Sequence, residues 1–66
     1  MKATINGQER EIPGGLTLGA LLEALGTPRT GIAVARNDRV VARAQLDSLC
    51  IVEGDRIEII RAVAGG

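Results

Sequence analysis

Whole classes of side chain are missing from this sequence. It has no histidine, tryptophan, tyrosine or phenylalanine, and its only cysteine is Cys50. Without histidine the chain can form no Ser-His or Cys-His catalytic pair and no histidine metal site. One cysteine cannot close a disulfide within the chain or build a multi-cysteine metal site. The absence of aromatic rings removes the platforms on which single-stranded nucleic acids stack. Most enzymatic and nucleic-acid-binding functions are therefore excluded.

An excess of charge of either sign is also lacking. Eight basic and eight acidic residues give a net charge of zero, which argues against a phosphate-backbone ligand. No apolar run approaches the roughly 20 residues that span a bilayer, and residues 1–6 lack the apolar core of a signal peptide. Together with the unpaired cysteine, these features predict a cytoplasmic protein with no nucleic-acid or membrane partner. At 66 residues, the chain is expected to form one domain, 1–66.

A hairpin is predicted at the N-terminus. Residues 2–6 alternate apolar and polar side chains, as a half-buried strand does. Asn6-Gly7 follows, and this dipeptide favours the type I′ turn, whose two central residues both need a positive φ. A return strand over 8–12 carries three consecutive charges, which suits the edge of a sheet.

One amphipathic helix follows the hairpin. Thr17 is a good N-cap, and Gly26 stands where a helix commonly ends in the left-handed conformation. Between them, leucines at helical spacing form the apolar stripe: Leu18, Leu21, Leu22 and Leu25. Gly19 interrupts this helix, and we interpret it as a point of close packing on the sheet.

The second half of the chain contains three further strands. They are predicted over 32–36, 39–42 and 56–63, with an irregular or single-turn connection over 44–49. The order of strands and helix indicates an α+β fold, in which the helix covers one face of a small mixed sheet. As a crossover, the helix allows the last strand to pair in parallel with the first, which makes these two strands central.

The chain ends in a diglycine, Gly65-Gly66, directly after the strongest strand. Glycine has no Cβ, so such a tail can enter a narrow channel and approach a partner closely. We expect residues 64–66 to form a flexible tail that ends in a free carboxylate. A carboxylate becomes an acyl donor once adenylation by ATP has given it a leaving group. The predicted site therefore comprises Gly66, which would be modified, and the access residues Ala64 and Gly65.

The chain as a whole resembles the ubiquitin-like sulfur carrier proteins, and among them those of thiamine biosynthesis. The features that carry the resemblance are the Asn6-Gly7 hairpin, the helix capped by Thr17, the Gly54-Asp55 turn before the last strand, and the Ala64-Gly65-Gly66 end. The resemblance implies a β-grasp fold. Unlike many relatives, this chain has no aromatic residue, so leucine, isoleucine and valine must fill its core.

The resemblance also implies a mechanism and its partners. An E1-like enzyme would adenylate Gly66 with ATP and Mg²⁺, and sulfur from a cysteine desulfurase or a persulfide protein would displace AMP. The resulting thiocarboxylate would donate its sulfur to thiazole synthase. The protein would be a carrier without catalytic residues, bound cofactor or metal. The alternatives are a carrier for molybdopterin synthase, a ubiquitin-like protein modifier, and a non-covalent interaction module.

Three further features have both a structural and a functional interpretation. Cys50 has apolar neighbours and is expected to be buried in the core. Ile60 is expected on the open side of the sheet, as a scattered surface residue or as a docking contact for the activating enzyme. The arginines around Asp38 are interpreted as a solvated turn rather than a binding patch. They are Arg36, Arg39 and Arg43.

Overall fold

The computed structural model describes residues 1–61. Within them the chain forms five strands, one α-helix and one 3₁₀ helix. The strands are β1 (Lys2–Ile5), β2 (Gln8–Glu11), β3 (Ile32–Arg36), β4 (Arg39–Val41) and β5 (Arg56–Arg61). The helix α1 is Leu18–Ala24, and the 3₁₀ helix is Arg43–Gln45. The predicted elements are confirmed with small changes at their ends, and residues 62 and 63 of the predicted last strand lie outside the described residues.

All five strands form one mixed sheet in the order β2-β1-β5-β3-β4. β1 and β5 are neighbours and run parallel, whereas the pairs β1–β2, β3–β4 and β3–β5 are antiparallel. The predicted parallel pairing of the first and last strands is confirmed, and β5 is the middle strand. β5 thus has a neighbour on each side where it begins.

The helix α1 begins and ends where the sequence predicts. The Thr17 hydroxyl accepts a hydrogen bond from the Ala20 N–H at 3.1 Å, and Gly26 has a φ of +69° just after the last turn. The N–H groups of Leu18 and Gly19 donate to the Leu49 and Leu46 carbonyls. The first turn of α1 is therefore attached to the segment that follows the 3₁₀ helix.

The hydrophobic core lies between α1 and one face of the sheet. Aliphatic side chains fill it: Ala3, Ile5, Ile12, Leu18, Leu21, Leu22, Val34, Leu46, Ile51 and Ile57. Ala3 and Ile5 of β1 alternate with residues that point the other way, as expected for a half-buried strand. Among the described residues, no helix is long and apolar enough to cross a membrane.

Two expectations from the sequence are wrong. Cys50 is exposed rather than buried, because it forms an isolated bridge with Thr17 at the surface while the next residue, Ile51, enters the core. Gly19 does not pack on the sheet. A Cβ at this position would collide with the side chains of Asp47 and Arg29, which form an ion pair across the helix start.

Candidate functional site

β5 is the last described element before the predicted site residues. β5 passes through the middle of the sheet and reaches Arg61, from which five residues lead to Gly66. The predicted site residues Ala64, Gly65 and Gly66 lie outside the described residues. What the structure describes next to them is the end of β5 and the side of the sheet that α1 leaves open.

An apolar patch covers one half of this open side. We define it as Ile60, Ala33, Ala35 and Val40. The strand register joins Ala33 to Ile60 and Ala35 to Val40, so these four side chains share a face opposite the buried Val34. Val40 is 78% exposed and Ile60 53% exposed, although both are large and aliphatic. The predicted position of Ile60 on the open side is confirmed.

The other half of the open side is polar. Arg56 and Glu58 of β5 are exposed there, beside Thr4 of β1. Arg56 binds the Asp38 carboxylate at 2.8 Å, and this hydrogen bond raises the pKa of the Arg56 guanidinium above its ordinary value. Both partners are largely exposed, so the pair orients side chains more than it stabilises the fold.

The start of β5 is held by a buried carboxylate. Asp55 is only 4% exposed, and its side chain accepts hydrogen bonds from the Val52 N–H and the Asn37 amide at 2.9 and 3.0 Å. The Arg36 guanidinium lies 3.8 Å from the same carboxylate. The Asn37 side chain also accepts from the Arg56 N–H, so one network joins the 52–55 turn to the β3–β4 turn.

Asn6 holds the opposite side of β5. Its backbone N–H donates to the Ile57 carbonyl at 2.9 Å, and its side-chain Oδ1 accepts from the Ile59 N–H at 2.8 Å. Asn6 therefore continues the β1–β5 pairing by two hydrogen bonds beyond the end of β1. Neither Asn6 nor Asp55 was expected to have such a role, since the sequence indicated only turns at both positions.

The arginines near Asp38 do not form one site. Arg36 faces Asp55 and donates to the Cys50 carbonyl, whereas Asp38 pairs with Arg56 of β5. Arg39 and Arg43 are exposed. Within residues 1–61, no three His, Cys, Asp or Glu side chains are grouped as metal ligands would be.

A mixed sheet with central parallel first and last strands, crossed by one helix, defines the ubiquitin-like β-grasp proteins. Two solved structures of a thiamine biosynthesis protein (ThiS) from Geobacter metallireducens show the same fold. The crystal structure has a TM-score of 0.86 and 28% identity, and each chain is covered completely. The NMR structure has a TM-score of 0.80 and 29% identity, and covers all of this chain and 88% of the other.

The family follows from the sequence comparisons. The ThiS family model matches residues 3–66, and the chain belongs to the ThiS family. It is 33% identical to the sulfur carrier protein ThiS of Escherichia coli (strain K12), over the full length of both. The resemblance inferred from the hairpin, the helix and the chain end is confirmed.

Two further relatives are much longer than this chain. They are proteins named thiazole synthase, from Paramagnetospirillum magneticum and Magnetococcus marinus, and each is 36% identical over all 66 residues. The chain spans only 20% of the length of either one. In both, a segment similar to this whole chain shares a polypeptide with a larger remainder.

Proposed function

We propose that this protein carries sulfur for the thiazole ring of thiamine, as a thiocarboxylate on Gly66. The observation that carries the proposal is the position of β5, the central strand of the sheet, which ends at Arg61, five residues before Gly66. The match to the ThiS family extends through these residues to position 66. A rigid domain followed by small residues suits a carrier whose acyl group must reach into partner enzymes.

The chemistry begins with activation of the Gly66 carboxylate. A carboxylate oxygen attacks the α-phosphorus of ATP, pyrophosphate leaves, and Mg²⁺ on the activating enzyme neutralises the phosphate charge. A persulfide on a cysteine desulfurase or persulfide protein then attacks the acyl carbon, and AMP leaves. A second thiol cleaves the resulting S–S bond, which gives the Gly66 thiocarboxylate and a disulfide between the two thiols.

The protein itself is a co-substrate of these steps and not an enzyme. ATP and Mg²⁺ belong to the activating enzyme, and this chain contributes the acyl group and the surface by which it docks. The composition supports this assignment, because the sequence has no histidine and one cysteine. Cys50 follows the 3₁₀ segment, at the bridge with Thr17 rather than on the β5 strand that leads to Gly66.

Thiazole synthase is the proposed acceptor of the sulfur. The two thiazole synthase relatives support this partner, because each includes a segment similar to this chain. A carrier that shares a polypeptide with its acceptor has a high effective concentration for transfer.

Ile60 is the proposed contact with the E1-like adenylating enzyme. It lies at the end of β5 closest to the modified terminus and belongs to the apolar patch. A few apolar or aromatic side chains contribute most of the binding free energy of an interface, and an exposed isoleucine paired with the small Ala33 can fill a pocket on a partner.

The fate of Gly66 tests the proposal. The chain is incubated with Mg-ATP, the adenylating enzyme of the source organism and a cysteine desulfurase charged with cysteine, then cleaved after Arg61. The peptide Ala62-Val63-Ala64-Gly65-Gly66 contains neither methionine nor cysteine, so its mass change cannot come from oxidised sulfur. Exchange of one oxygen for sulfur supports the carrier.

Other outcomes contradict this function in distinguishable ways. An isopeptide bond from Gly66 to lysine indicates a protein modifier, and an unchanged peptide indicates a non-covalent module. The thiolated chain is then offered to thiazole synthase and to molybdopterin synthase in parallel, and transfer only to molybdopterin synthase indicates the other carrier. Gly65→Val serves as the control for access. Its β-branched side chain should abolish adenylation and leave thermal stability unchanged.

A further inference from the structure

Backbone groups of β5 point alternately towards β3 and towards β1. The Asn37 N–H donates to the Arg56 carbonyl at 2.8 Å, and the register continues this pairing along β3. Residues 56, 58 and 60 therefore direct their N–H and C=O groups to β3. The intervening residues 57, 59 and 61 direct theirs to the β1 side.

Pairing on the β1 side stops before β5 ends. The ladder runs from Thr4 N–H to the Asp55 carbonyl and from Asn6 N–H to the Ile57 carbonyl, both at 2.9 Å. The side-chain Oδ1 of Asn6 then accepts a hydrogen bond from the Ile59 N–H. Asn6 and Gly7 have φ values of +50° and +81°, so the chain turns away into β2 at this point.

Two backbone groups of β5 consequently face an open edge. The Ile59 carbonyl and the Arg61 N–H lie beyond the Asn6 side chain, and no group among residues 1–61 pairs with them. Ile60 and Arg61 are exposed, and Ile59 is half-buried. This segment of edge, 59–61, is the last part of β5 before the residues that lead to Gly66.

The other edges of the sheet are less suited to a partner strand. The outer edge of β2 is formed by four exposed polar or charged residues, a composition that discourages pairing. The opposite outer edge of the sheet belongs to β4, which has only three residues. The 59–61 edge carries one charge, Arg61, and two isoleucines that can pack against a partner.

We propose that the enzyme that adenylates Gly66 extends this sheet with a segment of its own chain. An extended segment of the enzyme pairs with the Ile59 carbonyl and the Arg61 N–H. This inference rests on the proposed function, since it names the occupant of the edge. Pairing at Ile59 and Arg61 would hold the last described part of β5 against the enzyme, five residues before the Gly66 carboxylate that the enzyme activates.

Strand pairing would also set the position of Gly66 along the channel. A slip of one residue displaces an extended chain by about 3.3 Å and reverses its faces. A reacting carboxylate must be held much more closely than that for in-line attack on a phosphate. Asn6 fixes where the open edge begins, and so the register of the enzyme's segment relative to Gly66.

A backbone substitution tests this pairing without changing a side chain. Cys50 permits ligation of a 1–49 thioester to a synthetic 50–66 peptide, which restores the native sequence. In one product an ester replaces the Ile60–Arg61 amide, which removes the Arg61 N–H. In the control an ester removes the Glu53 N–H, which pairs with no group among residues 1–61. An ester carbonyl accepts hydrogen bonds more weakly than an amide carbonyl does. Both products share this effect, because the altered carbonyls, of Ile60 and of Val52, each accept a hydrogen bond within the fold.

Affinity for the adenylating enzyme of the source organism is measured for both esters and for the unmodified ligation product. Loss of one backbone hydrogen bond predicts a Kd about two- to tenfold higher for the Arg61 ester, with the Glu53 ester unchanged. Equal affinities of the two esters would overturn the inference. If the Arg61 ester melts at a lower temperature, N-methylated Arg61, which keeps the Ile60 amide carbonyl, replaces it and is expected to show the same loss.

Failure of the proposed function is visible separately. If the unmodified product is not adenylated, the carrier function itself fails, whereas normal adenylation of both esters contradicts only the strand pairing. Sedimentation of the free protein examines a second copy as the occupant. A dimer of the unmodified product that the Arg61 ester abolishes would assign the edge to self-association and overturn the enzyme as its partner.

Discussion

Asp55 is a buried charge that organises the turn before β5. Its carboxylate is 4% exposed and accepts from Val52 and Asn37, with Arg36 nearby. Buried carboxylates are tolerated when hydrogen bonds and a cation compensate the lost hydration. This one connects two turns that lie far apart in the sequence, and both meet at the first residue of β5.

Removal of this carboxylate is expected to destabilise the fold strongly. Asp55→Ala leaves the Val52 N–H and the Asn37 amide without their acceptor, at a cost of about 2–3 kcal/mol in the free energy of unfolding. Urea unfolding measures this loss. Asp38→Ala is the matched control, because its pair with Arg56 is exposed and should cost less than about 1 kcal/mol. Equal losses for the two variants would contradict the role of Asp55.

Ile60 offers a prediction about docking at the same scale. Ile60→Arg should leave the melting temperature nearly unchanged and raise the Kd for the adenylating enzyme about tenfold or more, because a charge would enter an apolar contact. Val52→Arg is the control, since Val52 is 56% exposed and belongs to the turn at the other end of β5. A normal Kd for Ile60→Arg, or an equal loss in both variants, would contradict the docking role.

The N-terminal hairpin does more than reverse the chain. Its turn residue Asn6 has a φ of +50° and binds Ile59, 53 residues later, through its side chain. The hairpin thereby ends the β1–β5 pairing at a defined residue and leaves the edge beyond it open.

Substitutions of Asn6 separate its role in the turn from its hydrogen bond to Ile59. Asn6→Gly keeps the positive φ but loses the acceptor for the Ile59 N–H, so it should destabilise the fold by about 1 kcal/mol and speed hydrogen exchange at Ile59. Asn6→Asp keeps an oxygen in the same place and should protect that amide. Unchanged exchange at Ile59 in Asn6→Gly would contradict this role of the side chain.

The start of α1 is covered by an ion pair that responds to pH. The Arg29 guanidinium binds Asp47 through two hydrogen bonds of 2.7 and 2.8 Å, and this contact lowers the pKa of the Asp47 carboxyl below its ordinary value of 3.8. Because the folded pKa is the lower one, the stabilisation is present above the unfolded pKa and is lost as pH falls through the folded pKa.

The stability difference between the native protein and Asp47→Asn should therefore depend on pH. It should be largest near neutral pH, decline as pH falls below about 4, and vanish in stronger acid. Both side chains are substantially exposed, so the difference should be small, and salt should reduce it. Chemical unfolding over a pH series measures it. A difference that grows towards acid would contradict the assignment.

The sequence was sufficient for those parts of the whole molecule that local signals specify. Asn6-Gly7, Thr17 and Gly26 predicted the hairpin and both ends of the helix, and the strand order predicted the parallel β1–β5 pair. Contacts between distant side chains were not accessible in this way. The neighbours of Cys50 are apolar, but only one face of an extended segment can be buried, and Ile51 occupies it.

Gly19 and Asn6 show the same limit. The residues that fill the space over Gly19 lie 10 and 28 positions later, at Arg29 and Asp47, and the partner of the Asn6 side chain lies at the end of the chain. No periodicity or propensity encodes such pairs. For the candidate site, the sequence predicted Ile60 on the open side and the residues 64–66, whereas the open backbone edge required the strand register.

Transfer of sulfur tests the central claim most directly. The chain is loaded on Gly66 with heavy-isotope sulfur, purified, and mixed with thiazole synthase and its small-molecule substrates in a single turnover. The account predicts that heavy sulfur appears in the thiazole product while the 62–66 peptide returns to its carboxylate mass at the same rate. Unlabelled thiazole formed beside a carrier that keeps its label would contradict it.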